Sequence, residues 1–472
     1  MKPKRPARVP WARATLLFAL GSGLAILGGM NGFAEADAPS TGTEVRVTSG
    51  PGGRILTNTG VWSPDGRWIV YDTRADAAGE VFGGRRIEAV NLETREIRTV
   101  YESQRGAHCG VVTFHPTRWQ VVFIHGPENP TPDWSYGPFH RQGVLVDWDR
   151  PGVPVPLDAR DLTEPFTPGA LRGGSHVHVF SGDGRFVSFT YEDHVLAQAE
   201  AVPGADFNQR NIGVSVVGRP VTVKPDHPRN HDGSAFTVLV TKTVNQPKPG
   251  SDEIQKAFEE GWVGTNGYQR ADGRRQPALA FQGHVLTTGG ATNAEVYIVD
   301  LPEDLTRPGQ GPLAGGPGLR PQPPAGVVQR RLTHTADRRH PGIQGPRHWL
   351  RVSPDGERIA FFMKDDAGVV QIWSVSPRGG DPVPLTRNPF PVTSAFTWSP
   401  DGRLLAYVMD RSVWVTEVGS GASRRLTAAS GEADAPRTEA CVFSPDGRRI
   451  AFVRNLAGPD GTRSNQICVV TL

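Results

Sequence analysis

Short apolar runs recur along the chain in pairs, each pair joined by a polar turn. Val61-Trp62 passes through Ser63-Pro64-Asp65-Gly66-Arg67 into Trp68-Ile69-Val70-Tyr71. The same unit returns at Val352 to Phe362, Trp398 to Val408 and Phe443 to Val453. Two altered copies are Phe114-His115-Pro116-Thr117-Arg118 before Val121-Val122-Phe123-Ile124, and Phe180-Ser181-Gly182-Asp183-Gly184 before Phe186-Val187-Ser188-Phe189. The runs are too short for helices and rich in β-branched and aromatic residues, so each unit predicts a hairpin. The turn chemistry agrees: Pro presets φ, Asp bonds its own backbone, and Gly takes the positive-φ position.

The copies are spaced 52, 66, 172, 46 and 45 residues apart, counted from Trp62. The last two intervals match the four-stranded blade of a β-propeller, about 40–50 residues. The long interval predicts the end of blade three (Ile212 to Val217, Val221 to Lys224) and a divergent blade four. Its four strands are expected at Phe236–Val240, Ala278–Phe281, Val296–Val299 and Gln329–Leu332. The expectation is an all-β, seven-bladed ring; if those strands are insertions in blade three, the count is six. The chain finishes on what reads as a third strand, Gln466-Ile467-Cys468-Val469-Val470, and opens its folded part on a lone strand, Glu44 to Thr48. Joining the two closes the ring and removes a sheet edge.

Two segments interrupt the pattern. In residues 245–277, Ser251-Asp252-Glu253 reads as a helix start, with Ile254, Ala257, Phe258 and Trp262 at helical spacing. Residues 302–326 form a Pro/Gly-rich loop, with 12 Gly or Pro among residues 307–326.

The formal charge of +3 comes from the first 36 residues, where Lys2, Lys4, Arg5, Arg8 and Arg13 face Glu35 alone. That segment is +4 and the remainder near −1, which leaves no basic surface for nucleic acid. It reads as a secretory leader over 1–36: a basic start, an apolar run from Ala14 to Met30, and Ala34-Glu35-Ala36 for cleavage. Residues 37–43 read as a disordered mature N-terminus. The expected location is the periplasm or the medium, with no membrane span after cleavage. Three cysteines, Cys109, Cys441 and Cys468, are too few for a disulfide framework and are expected as buried thiols.

In a propeller the first strand of each blade lines the central channel. Five residues ahead of each turn stand Asn58, Gly110, His176, His348, Ser394 and Glu439. His108, His178, Arg172 and Arg347 lie beside them. His176-x-His178 on a strand places two imidazoles on one side, as a metal site needs. His108, His176, His178 and His348 are therefore candidate ligands for a divalent metal (Mn, Zn or Ca). Arg172, Arg347 and Glu439 are catalytic candidates, and Asn58, Ser394 and Glu439 candidate ligand contacts at the mouth. His115 replaces a turn serine and reads as structural. No G-x-S-x-G elbow, P-loop, dinucleotide fingerprint, H-E-x-x-H or C-x-x-C occurs.

The Ser-Pro-Asp-Gly-Arg repeats resemble those of TolB-type (WD40-like) periplasmic propellers across residues 44–472. More specific strings resemble the YidR-type branch: Gly106-Ala107-His108, Phe123 to Pro130, Leu171 to Ser181, Pro249 to Ile254 and Gly326 to Thr333. The resemblance implies a propeller and brings no activity with it. TolB carries an α/β domain ahead of its propeller; here only residues 37–60 stand between leader and first blade, so the resemblance leaves any link to the Tol–Pal system open. Oligogalacturonate lyases are similar in architecture, seven-bladed with a divalent metal on channel histidines. Two functions follow as expectations. One is a monomeric binding or scaffold propeller whose channel mouth meets a periplasmic protein or a cell-envelope polysaccharide. The other is a metal-dependent polysaccharide lyase or hydrolase acting at the histidines.

Overall fold

A computed structural model describes residues 42–472 except 58, 200–202 and 347–348, and except the side chain of Ala440. The leader, residues 37–41, Asn58, Arg347 and His348 lie outside the described residues.

The repeated turn is a closed hydrogen-bond unit. Ser63 Oγ donates to Asp65 Oδ1 at 2.6 Å and accepts the Trp68 amide at 3.0 Å. Asp65 also accepts the Arg67 amide at 3.0 Å, and Gly66 sits at φ 68°. The network recurs at Ser181/Asp183, Ser353/Asp355, Ser399/Asp401 and Ser444/Asp446. In blade two the His115 imidazole substitutes, accepting the amides of Thr117 at 3.2 Å and Arg118 at 3.0 Å.

These hairpins build seven blades. Blade one is Trp68–Asp72, Arg86–Asn91 and Ile97–Glu102, with Trp62 bridged to Ile69 on its inner side. Blade two is Cys109–Phe114, Gln120–His125, Gln142–Asp147 and Val155–Pro156. Blade three is Gly173–Phe180, Phe186–Asp193, Asn211–Val221 and Gly233–Leu239. Blade four is Ile254–Trp262, Ala278–Leu286, Thr292–Asp300 and Val328–Arg331. Blades five and six start at Arg351–Val352 and Thr397–Trp398. Blade seven is Pro436–Phe443, Arg449–Ala457 and Arg463–Thr471, completed by Glu44–Arg46, which pairs Glu44 with Val470 and Arg46 with Cys468. The apolar core is divided among the spaces between blades. Each of the seven spaces, including the one between blades seven and one, holds its own buried cluster.

Two expectations are corrected. The segment after Ser251 is no helix: Ile254–Trp262 is the inner strand of blade four. The strand at Phe236 belongs to blade three, within Gly233–Leu239. The pattern misleads because register shifts fall between Ile254 and Ala257 and between Phe258 and Gly261. Each bulge offsets the period-two alternation, so buried residues at 254, 257 and 258 imitate a helical stripe. The Pro/Gly loop is an arm with a packed tip. Arg172 donates to the carbonyls of Gly316 at 3.0 Å and Leu319 at 2.6 Å. Arg320 donates to Thr243 O and Asn245 Oδ1, both at 2.6 Å. The three cysteines are free and buried. No helix among the described residues is long and apolar enough to cross a membrane.

Candidate functional site

The inner strands run from a head end, where they begin, to a turn end. At the head end, the loops joining second to third strands are long in blades one to three: residues 73–85, 126–141 and 194–210. In blades five and six they are residues 365–369 and 410–411. Two of the long loops press onto inner strands at glycines. A Cβ at Gly110 would come within 2.8 Å of the Phe82 ring, and one at Gly174 within 2.1 Å of the Pro138 carbonyl oxygen.

The loops bring together groups of one character. Phe82 stacks on Tyr136 at 4.7 Å, and His108 meets Tyr136 edge-on at 5.8 Å. Arg74 lies over Phe82 at 4.6 Å and pairs with the buried Asp72 at 2.8 Å. Arg141 is 5.9 Å from the Tyr136 ring and donates from Nη2 to His176 Nδ1 at 3.2 Å. Its Nε is buried without a partner. Burial, then Arg141 and Arg210, hold His176 well below the usual imidazole range, so it is neutral and accepts. Arg210 is itself paired with Glu192 at 2.6 Å.

The two imidazoles of His176-Val177-His178 do not share a side. Val177 sits at φ 60°, and the register slips between His176 and Val179. His176 turns to Arg141, while His178 is buried between blades two and three, 3.1 Å from Ser175 Oγ and 3.9 Å from Asp158. Gly143 permits this, since a Cβ there would stand 2.7 Å from His178 Nε2. Burial lowers His178 to about 3. Among the described residues no three His, Cys, Asp or Glu side chains group as a metal site requires.

The other candidates are engaged elsewhere. Arg172 is buried against Asp193 at 2.8 Å and carries the arm. Glu439 pairs with Arg437 of its own strand at 3.2 Å. Ser394 is buried, accepting the Val408 amide and donating to Ala395 O, both at 2.7 Å.

Left-handed residues recur four places ahead of the turn: Val111 at φ 57°, Val177 at 60° and Glu259 at 55°. Non-glycine residues held there cost of order 1–3 kcal/mol each. In blade four the residue after the bulge, Glu260, takes the place His178 has in blade three. Its carboxylate accepts Thr190 Oγ1 at 3.0 Å, and Oε1 is buried without a partner. Burial pushes its pKa from 4.5 to about 7. Below pH 4.5 the group is protonated in folded and unfolded chains and changes nothing. Between there and pH 7 only the unfolded chain ionises, so stability falls; above pH 7 the penalty is complete, about 3 kcal/mol. Glu260→Gln is expected to gain about 1–3 kcal/mol at pH 8 and nothing at pH 4, read by urea unfolding. A loss at pH 8 would show that the carboxylate is needed by the half-buried Arg351, whose charge it favours.

At the turn end the channel opens into a cavity of about 430 Å³ that all seven blades line. Its wall carries Trp62, Phe114, Phe180, Trp262, Trp398 and Phe443. Three indoles fasten neighbouring blades: Trp62 to Val442 O at 3.1 Å, Trp262 to Val179 O at 2.9 Å, and Trp398 to Arg351 O at 3.0 Å.

Residues 108–231 match a family profile described as "Protein of unknown function (DUF3748)", a span that includes His108, Tyr136, Arg141, His176 and Arg210. Residues 371–456 match the dipeptidyl peptidase IV N-terminal region. The chain is 47% identical over 397 residues to "Uncharacterized protein YidR" of Escherichia coli (strain K12), covering 83% of this chain and 91% of that one. The chain belongs to the YidR family. Among solved structures, an oligogalacturonate lyase in complex with manganese aligns over 92% of this YidR-family chain and 94% of its own, with TM-score 0.53 and 13% identity. The oligogalacturonate lyase of Vibrio parahaemolyticus gives TM-score 0.53 and 12% identity, over 92% and 95%. At such identity the likeness shows the fold alone.

Sequence reasoning passed over Tyr136, Arg141, Arg210 and Glu260. The first three sit in long interstrand gaps of blades two and three, and unequal loop length on one end of a ring is the available signal. Glu260 was hidden with the strand that carries it.

Proposed function

We propose that this YidR-family propeller is a binding protein that takes an anionic ligand, of the acidic cell-envelope polysaccharide class, at the head end of its channel, without chemistry. The observation that carries the reading is Arg141. Its guanidinium is held 3.2 Å from a neutral His176, beside the Tyr136 ring, with a buried Nε unpartnered. A carboxylate would pair with the guanidinium, and the Tyr136 ring would flank a sugar. The leader supports export to the periplasm, and the chain is taken to act as a monomer. The metal-dependent lyase or hydrolase has no comparable observation, because the described candidate histidines are not gathered into a ligand set.

Calorimetric titration of trigalacturonate into the protein is the test. Binding is expected, weakening with salt, and at least tenfold weaker in Arg141→Ala, about 1.4 kcal/mol. Equal binding of a neutral trisaccharide, or no effect of Arg141→Ala, would overturn it. Release of an unsaturated product on adding manganese would replace binding with lyase activity.

A further inference from the structure

A second pocket, separate from the channel, lies in the cleft between blade two and the outer edge of blade three. Its volume is about 430 Å³. It draws on the loop after Gln120–His125, on Arg160, and on Arg229 to His231. Arg160 bridges the two sides: its amide donates to His231 O at 2.9 Å and the His231 amide donates back at 3.1 Å.

Its charge is unbalanced. Arg160 is buried, and its guanidinium donates to main-chain carbonyls, Arg141 O at 2.8 Å and His140 O at 3.1 Å. Arg229 donates to Glu128 O at 3.0 Å and Asn129 O at 3.3 Å. Both guanidiniums lie 5.6 Å from the Trp134 ring, which also lines the pocket. The lining carboxylate of Glu128 is paired with Arg105. Two cations therefore face the pocket with hydrogen bonds to carbonyls, and the one carboxylate that offsets Arg160, the buried Asp158, stands outside the lining.

Two imidazole nitrogens there are buried and unpartnered, His125 Nδ1 and His231 Nε2. His125 is 4% exposed, and its Nε2 lies 2.8 Å from Tyr101 Oη. With the phenol donating, Nδ1 carries the proton, and beyond an approach to the Gly126 backbone it makes no well-formed hydrogen bond. His231 Nδ1 stands 3.0 Å from Asp232 O, which requires a proton on Nδ1 and leaves Nε2 a bare acceptor. Burial lowers both, His231 to about 4, so neither adds charge.

An unsatisfied buried donor and acceptor are costly unless something meets them. A bare inorganic anion leaves the acceptor unmet and most of the volume empty. Trp134 and the prolines at 127, 154, 156 and 228 give the pocket apolar walls suited to carbon. We propose that this pocket binds a small hydroxy-carboxylate of monosaccharide size. Its carboxylate lies against Arg160 and Arg229, one hydroxyl donates to His231 Nε2, and one oxygen accepts from His125 Nδ1.

The test titrates D-gluconate and D-galacturonate into the whole protein, with glucose, propionate and inorganic phosphate as controls. At least one hydroxy acid is expected to bind at least tenfold tighter than every control. Arg229→Gln and His231→Ala should each weaken it at least tenfold, with trigalacturonate binding in the channel unchanged. Arg141→Ala should leave it unchanged. Equal binding of propionate or phosphate, indifference to both pocket variants, or no binding of either hydroxy acid would overturn the proposal. Since the two sites have separate variants, failure of one leaves the other standing.

Discussion

Arg172→Met is expected to lower folding stability by about 3–5 kcal/mol, the range for removing one partner of a buried ion pair. Arg172 is 1% exposed and its Nε donates to Asp193 Oδ2 at 2.8 Å. Methionine fills much of the same volume, so the loss is chiefly electrostatic. Asp193 would be left buried and charged, with burial already raising its pKa. Two carbonyls of the arm tip, Gly316 and Leu319, would lose the guanidinium and keep only each other's amides. The same Asp193 accepts the Leu196 amide at 2.9 Å, so the short helix His194–Gln198 loosens as well. Urea unfolding measures the total, and protease cleavage within residues 302–326 reports release of the arm. The double variant Arg172→Met/Asp193→Leu should recover part of the loss, because it removes the stranded charge. A change under about 1 kcal/mol would mean the pair is idle and would reopen Arg172 as a catalytic candidate.

Removing residues 1–48 is expected to abolish cooperative unfolding of the ring. Blade seven would lose its outer strand and, with it, Val47 from the space shared with blade one. Thr48 would no longer accept the Ile467 amide at 2.9 Å or donate to Gln466 at 2.9 Å. Arg454 would lose both carboxylate oxygens of Glu44, at 2.8 and 3.0 Å. These contacts join residues 410 to 419 apart in the chain, so nothing local replaces them. Their sum is comparable with a whole domain's margin of about 5–15 kcal/mol. Cys468, opposite Arg46, gives a direct reading: burial now pushes its thiol up to about 12, which keeps it unreactive. Thiol labelling should be slow in the intact chain and fast in the truncated one. A synthetic peptide of residues 42–49 should restore protection. Unchanged labelling and an unchanged midpoint would show that the ring holds without its closing strand.

The ring was legible because its turns are chemical signatures. Ser63, Pro64, Asp65 and Gly66 each have a stated task, and four further copies keep the Ser–Asp bond. The inner strand of blade four escaped because its turn, Trp262-Val263-Gly264-Thr265-Asn266-Gly267, has lost the serine, proline and aspartate and keeps only the aromatic lead and glycines at φ 60° and 82°. The site was less legible for a related reason. Strand alternation assigns a face to every residue, and one left-handed residue reverses that assignment. Val177 separates His176 from His178 in this way, and nothing in the string His-Val-His announces it. Arg141 and Tyr136 act from a loop, where position depends on what the loop rests upon, here Gly174.

The indole fastenings at the far opening set a limit on traffic. Trp62, Trp262 and Trp398 are at once its lining and the pins between adjacent sheets. A guest too wide for that aperture could widen it only by pulling pins out of the wheel. That opening therefore behaves as a fixed gauge.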